Sequence, residues 1–289
     1  MKTRIITGFF IFLAFALVAV FSLWLTGIVF DIFALFLMVF GATELIKAFD
    51  KFGAKPIKAL IYALIFAGYI AFFIAERKLN DGLNFYFLVL LAFFILALIF
   101  KLANKRIDFN RFLTTLFVML YPVTILMYMI GLNHIGVGEN VYRSVGIMLL
   151  FIVSPLTDSM AYFVGSALGG PKLCPKISPK KTVSGAIGGL IGGMFGALII
   201  YVLAFTGALD FMGVGLFGTK IDIVHFLLLG FLGAVSTQIG DLIASMIKRK
   251  CNIKDYGKLL PGHGGVMDRV DGMICSAVVY YVYFVFLCV

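Results

Sequence analysis

The chain has 289 residues, of which 62% are hydrophobic and only 13% charged, whereas an ordinary soluble domain carries roughly 25% charged residues. Its 32 phenylalanines are part of more apolar surface than a water-soluble globule of this length can hide, so a soluble enzyme or binding module is excluded and a bilayer is the fitting solvent. The formal net charge of +10 is dispersed between apolar runs, which reads as a topology signal aided by anionic headgroups and gives no sign of a nucleic-acid partner.

A helix crosses the hydrocarbon core with about 20 apolar residues. Nine runs of that kind occur, at about 5–25, 28–48, 57–75, 83–103, 112–132, 144–168, 183–207, 222–247 and 267–288. They predict an all-α integral membrane protein of about nine transmembrane helices. The run opening at Ile5 has no small-residue cleavage site before the next one and is read as a retained helix. Only Thr26 and Gly27 separate the first two runs, so these form a tight antiparallel hairpin. With the N-terminus inside, every Lys and Arg except Arg77, Lys78, Arg143 and Lys220 falls in an inside segment. The alternation predicts a multi-pass protein of the cytoplasmic (inner) membrane with its N-terminus cytosolic and its C-terminus outside. Cys174, Cys251, Cys275 and Cys288 show no CxxC pairing and read as incidental thiols.

Residues 1–140, carrying spans one to five, are mostly apolar and read as a scaffold, with Glu44 close enough to the cytosolic end to reach the headgroups. Polar residues accumulate in 141–289. In span six, Ser154, Asp158 and Tyr162 share a helical face, and Asp158 is about 15 Å from the cytosolic end. A carboxylate at that depth costs roughly 2.5–3.5 kcal/mol unless it faces a polar cavity; it serves either a site or a packing pair. The run Ile177, Ser178, Pro179, Lys180, Lys181, Thr182 reads as a turn, two ammonium groups and a threonine cap at a helix start, a setting that favours phosphate, although lysines there also satisfy the topology signal. Span seven carries glycines at 185, 189 and 193 and at 188, 192 and 196, two stripes that let neighbouring backbones approach.

Span eight ends in a stripe of Gln238, Asp241, Ser245 and Lys248, followed by Arg249 and Lys250. A lipid-facing helix would not carry such a stripe, so it lines a polar cleft open to the inside. The last inside loop, from Lys254 to Asp271, holds Pro261, Gly262, Gly264 and Gly265 in a backbone able to crowd a ligand, and delivers Asp268, Arg269 and Asp271 to the first turn of span nine. Carboxylates are hard ligands suited to Mg²⁺, and Asp241 and Asp268 from adjacent helices are the candidate metal acids, whether for one cation or two. His263 in that loop bonds a phosphate, bonds a backbone carbonyl, or acts as a base.

Ser245, Lys248, Arg249, Lys254, Asp255, Gly257, Leu260, Pro261, His263, Gly264, Gly265, Asp268, Arg269 and Asp271 resemble the C-terminal signature of the phosphatidate cytidylyltransferase (CDP-diacylglycerol synthase) family. Asp158, Ala161, Tyr162 and Gly165, and the run from Ser178 to Thr182, also look like family segments, so the resemblance covers about 150–289. One position departs from it: Ser184 stands where family members often carry Glu or Gln. The resemblance implies transfer of CMP from CTP to phosphatidic acid, a divalent metal on Asp241 and Asp268, and a homodimer. It makes Asp158, Ser178, Lys180, Lys181, Ser245, His263, Gly264, Gly265, Arg269 and Asp271 substrate-binding candidates, with Lys248 and Arg249 joining the two acids as catalytic candidates. Rival readings are the same chemistry on another lipid phosphate, such as an ether lipid, or a transporter, which would need a polar pathway to both faces. A CDP-alcohol phosphotransferase would need an acid-rich DGxxAR motif, which the sequence lacks.

Overall fold

A computed structural model of the protein describes residues 27–135, 140–210, 221–260 and 264–288, with the single positions 13, 17, 18, 20, 21 and 262. Most of the expected first span, 5–25, lies outside the described residues. In chain order the elements are α1 (Ile28–Lys51), α2 (Lys58–Leu79), α3 (Gly82–Ala103), α4 (Phe109–Val118), a π-helical turn (Met119–Thr124), α5 (Ile125–Asn133) and α6 (Asn140–Leu168). A two-stranded hairpin, β1 (Lys172–Cys174) and β2 (Ser178–Thr182), leads to α7 (Val183–Phe205), α8 (Ile223–Lys250) and α9 (Met267–Cys288). Counting α4 through α5 as one crossing, the described residues hold 8 helices long and apolar enough to cross a membrane. The chain is an all-α membrane protein in its architecture, with the hairpin as a small addition.

Two local features depart from the sequence reading, each for a physical reason. The span expected at 112–132 is broken. Pro122 has no N–H to donate and its ring clashes with the preceding turn. The residue before a proline is driven out of the helical region, and Tyr121 accordingly sits at φ −123°, ψ 114°. The second departure is Ser178-Pro179, expected as a turn. These residues are extended in β2, paired antiparallel with β1 in the register Cys174 to Ser178 and Lys172 to Thr182. A two-stranded ribbon has only edge positions, where proline is tolerated. The expected cap is present: Thr182 Oγ1 accepts from Gly185 N at 3.1 Å.

The glycine stripes of α7 pack as their spacing predicts. A Cβ at Gly188, Gly192 or Gly196 would meet Val164, Met160 or Leu156 of α6 at 2.5, 2.6 and 2.9 Å. The other stripe also faces α8, since a Cβ at Gly193 would lie 2.6 Å from Ala234 and 2.8 Å from Thr157. Helices α6 to α9 therefore sit in close backbone contact, and α9 packs on α5 and α1 as well as on α8. Through α9 the polar C-terminal helices are fastened to the apolar N-terminal ones.

Candidate active site

The site is built where the end of α8, the loop 251–265 and the start of α9 meet. The N–H groups that open a helix lack acceptors within it, and at α9 carboxylates supply them. Asp268 Oδ2 accepts from Gly265 N at 3.0 Å and from Tyr256 N at 2.8 Å. Its other oxygen accepts from Lys248 Nζ at 2.9 Å, which lies 3.7 Å from Asp271 Oδ2. Asp268 and Asp271 are three residues apart on one face of α9, and Lys248 reaches both from α8. The ammonium also stands 5.3 Å from the Tyr256 ring centroid, and the Tyr256 hydroxyl donates to Ala244 O at 3.0 Å. Burial first, then the Asp271 and Asp268 carboxylates, pushes the Tyr256 phenol well above its ordinary range, so it remains a neutral donor.

Facing these groups, Lys181 at the end of the hairpin is ion-paired with Asp241 on α8. Ser245 Oγ, one turn further along α8, donates to Asp241 Oδ1 at 3.3 Å. Arg249 docks the hairpin, donating from Nε to Ile177 O at 3.2 Å. Asp158 on α6 interacts electrostatically with Asp241, Lys181 and Arg269, and Asp271 with Asp241 and Asp158. Four carboxylates from three helices thus share one region with two lysines. Deeper in the bundle Ser154 Oγ bonds Thr237 Oγ1 at 2.9 Å and Ser276 Oγ at 3.1 Å, which fastens α6 to α8 and α9.

Among the sequence candidates, the structure brings together Asp158, Lys181, Asp241, Ser245, Lys248, Asp268 and Asp271. Arg249, Arg269 and Lys180 are exposed around them, with Ser178 half-buried in β2. Gly264 adopts φ +86°, a left-handed conformation that glycine accommodates, and Leu260 N donates to its carbonyl at 3.0 Å. His263 lies outside the described residues. Ser184, the departure from the family pattern, donates to Gly169 O and lies 3.1 Å from Thr182 Oγ1, tying the start of α7 to the end of α6. Tyr162, expected on the same face as Asp158, is 70% exposed.

Asp241 and Asp268 each hold a different lysine, so the ammonium groups occupy the positions of positive charge beside both acids. Among the described residues no three His, Cys, Asp or Glu side chains are grouped as a metal cage. Mg²⁺ characteristically takes one or two carboxylates and completes its shell with water and substrate phosphates. The donor set fits that ion.

Two residues of the N-terminal half also reach the site. Glu44 on α1 is turned inward and only 6% exposed, a correction to its expected place among the headgroups, because it binds the start of α9. Tyr121 is 5% exposed, its hydroxyl has no hydrogen-bond partner among the described residues, and it interacts electrostatically with Tyr256, Asp271, Cys275 and Asp241. Pro122 was the available sign of it, since the break that proline forces turns the preceding residue out of the helix.

The sequence matches the Cytidylyltransferase family over residues 2–287. A Brucella abortus protein named phosphatidate cytidylyltransferase is 42% identical over 146 residues, which make up 50% of this chain and 49% of the relative. A Mycobacterium tuberculosis protein of the same name is 54% identical over 55 residues, 19% of this chain and 17% of the relative. The matched stretches span about half or less of the length of these relatives.

Proposed function

The chain belongs to the cytidylyltransferase family, and on that premise we propose that it transfers CMP from CTP to phosphatidic acid, giving CDP-diacylglycerol and pyrophosphate. The observation that carries this reading is the meeting of Asp241 and Asp268 with Lys181 and Lys248 beside a glycine-rich loop. Such a set suits phosphoryl chemistry, in which a protein mainly positions polyanions and stabilises charge.

An oxygen of the lipid phosphate attacks the α-phosphorus of CTP in line. The new P–O bond forms as the bond to the bridging oxygen breaks, and pyrophosphate leaves with the electron pair. The attacking oxygen is already anionic near neutral pH, so no side chain has to remove a proton, and His263 is assigned to phosphate or backbone bonding. Lys248 and Lys181 stabilise the phosphates, with Lys180, Arg249 and Arg269 at the exposed rim steering the incoming polyanion. Asp241 and Asp268 would hold a Mg²⁺ ion, which would supply neutralisation of the phosphate charge.

In the same reading the nine-span, N-terminus-in arrangement places the site at the cytosolic face of the inner membrane. CTP then arrives from the cytosol and the lipid from the inner leaflet, and the protein works as a homodimer.

The test is incorporation of labelled CTP into lipid by purified protein in detergent with phosphatidic acid and Mg²⁺, beside Asp241→Asn and Asp268→Asn. Metal-dependent CDP-lipid, lost in both variants, is expected. Product from an ether-lipid or other lipid phosphate alone would reassign the acceptor. No product from folded protein across a panel of lipid phosphates would overturn the reading in favour of transport.

A further inference from the structure

We propose that Glu44, on α1, is a positioning residue for the reaction: it holds both limbs of the glycine-rich loop and the first turn of α9 so that Asp268 is presented in one orientation. The proposal rests on the reading of this region as the nucleotidyl-transfer site.

Both oxygens of Glu44 are used. Oε1 accepts from Val266 N at 3.0 Å and Oε2 from Met267 N at 2.9 Å. These N–H groups open α9 and find no acceptor inside it, and a helix start favours an anion. The acceptor comes from a helix 222 residues away in the chain. Among the described residues Glu44 forms no ion pair, although it is only 6% exposed. An apolar residue would pack there at lower cost, because a buried carboxylate must be compensated. Its compensation is the backbone of the site.

The glycines on either side of the loop fit this arrangement. A Cβ at Gly257 would lie 2.2 Å from Glu44 Oε1, and one at Gly265 would lie 2.4 Å from both carboxylate oxygens. Neither glycine has a left-handed φ, so it is the approach of the Glu44 carboxylate, not backbone conformation, that demands glycine at both. The next links are direct. Tyr256, adjacent to Gly257, and Gly265 itself give the two N–H groups that hold Asp268 Oδ2. Glu44 therefore acts on Asp268 through the two loop limbs without touching the reacting atoms.

The experiment uses full-length protein in detergent with Glu44→Gln and Gly265→Ala, read by hydrogen exchange along the chain and by steady-state kinetics. Gln keeps the size of Glu but retains one acceptor oxygen and sets an NH₂ group against a backbone N–H. The Gly265 Cβ displaces the same carboxylate from the other side. Both variants are expected to raise exchange of the amides between 256 and 268 while α7 exchanges as in wild type. Both are also expected to lower kcat on the order of 10–100-fold, the loss that a misplacement of about 1 Å produces, with the KM for CTP little changed. Wild-type exchange in that segment and wild-type kcat would overturn the proposal. So would loss of protection spread evenly over all helices, the mark of a purely structural role. If the wild-type protein makes no CDP-lipid, the functional reading fails by itself and the exchange pattern still decides the role of Glu44 as the holder of the loop.

Discussion

At the scale of the residue, the site depends on cations and carboxylates that no single helix could hold. Lys248 has a side chain only 14% exposed, and Asp268, its 2.9 Å partner, is 4% exposed. Removing one member of a buried pair leaves the other charge uncompensated, whereas an exposed pair contributes little. Lys248→Met is therefore expected to cost on the order of 10²–10³-fold in kcat/KM, the range seen when one electrostatic donor to a developing charge is lost. Lys248→Arg keeps the charge but substitutes a planar fork for a compact ammonium. It is expected to fall between Met and wild type in the same assay. Equal activity of all three forms would show that Lys248 only packs against its neighbours. The stripe containing Lys248 was legible in the sequence, because helical spacing is local and Gln238, Asp241, Ser245 and Lys248 follow it. Glu44 was not legible. A lone acid near the end of an apolar helix reads as a headgroup contact, and its true partners, Val266 N and Met267 N, are backbone groups with no sequence signature.

At the scale of the element, α7 shows how little side chain is needed to hold a membrane bundle. Lipid gives helices no hydrophobic reason to associate, so close packing of small residues takes over. The two glycine stripes predicted both the closeness and the faces. Their periodicity did not name the neighbours, which turn out to be α6 for one stripe and α6 with α8 for the other. Gly193→Val places its Cβ between Ala234 and Thr157, and overpacking of this kind costs about 1–3 kcal/mol. Thermal unfolding in detergent should show a lowered Tm for Gly193→Val. Ile191, 58% exposed on the outer face of the same helix, should tolerate Ile191→Val within about 0.5 kcal/mol. The hairpin was harder to foresee. Ser178-Pro179 carries turn chemistry, and strands of 3 and 5 residues are too short to show an alternating pattern. Yet the hairpin sets Lys181 against Asp241.

At the scale of the whole molecule, α1 is a strut pinned at both ends, and the apolar N-terminal half is less featureless than its composition suggests. Thirteen residues before Glu44, and so about 20 Å away along the helix, Asp31 is fully buried. His134 Nε2 lies 2.9 Å from its Oδ2, and Asn133 Nδ2 donates to its Oδ1 at 2.8 Å and to Gly27 O at 2.7 Å. Arg143 Nε then donates to Asn133 Oδ1 at 2.9 Å, so α1, α5 and α6 are joined in one polar knot. Composition hid this knot, since Asp31 stands about a hundred positions before Asn133, His134 and Arg143. The knot is remote from the carboxylates of the site, and α1 connects the two ends. Asp31→Ala removes the acceptor at the centre and strands the donors of Asn133 and His134. The loss is expected to cost about 3 kcal/mol, as when one partner of a buried polar pair is deleted. Tm in detergent should fall. Because Glu44 pins the other end of α1 directly to α9, the folded fraction of Asp31→Ala should keep its kcat within about threefold of wild type, against the 10–100-fold expected for Glu44→Gln. A matching loss of kcat at both ends of α1 would mean that the helix transmits strain along its length and that Glu44 does not act locally.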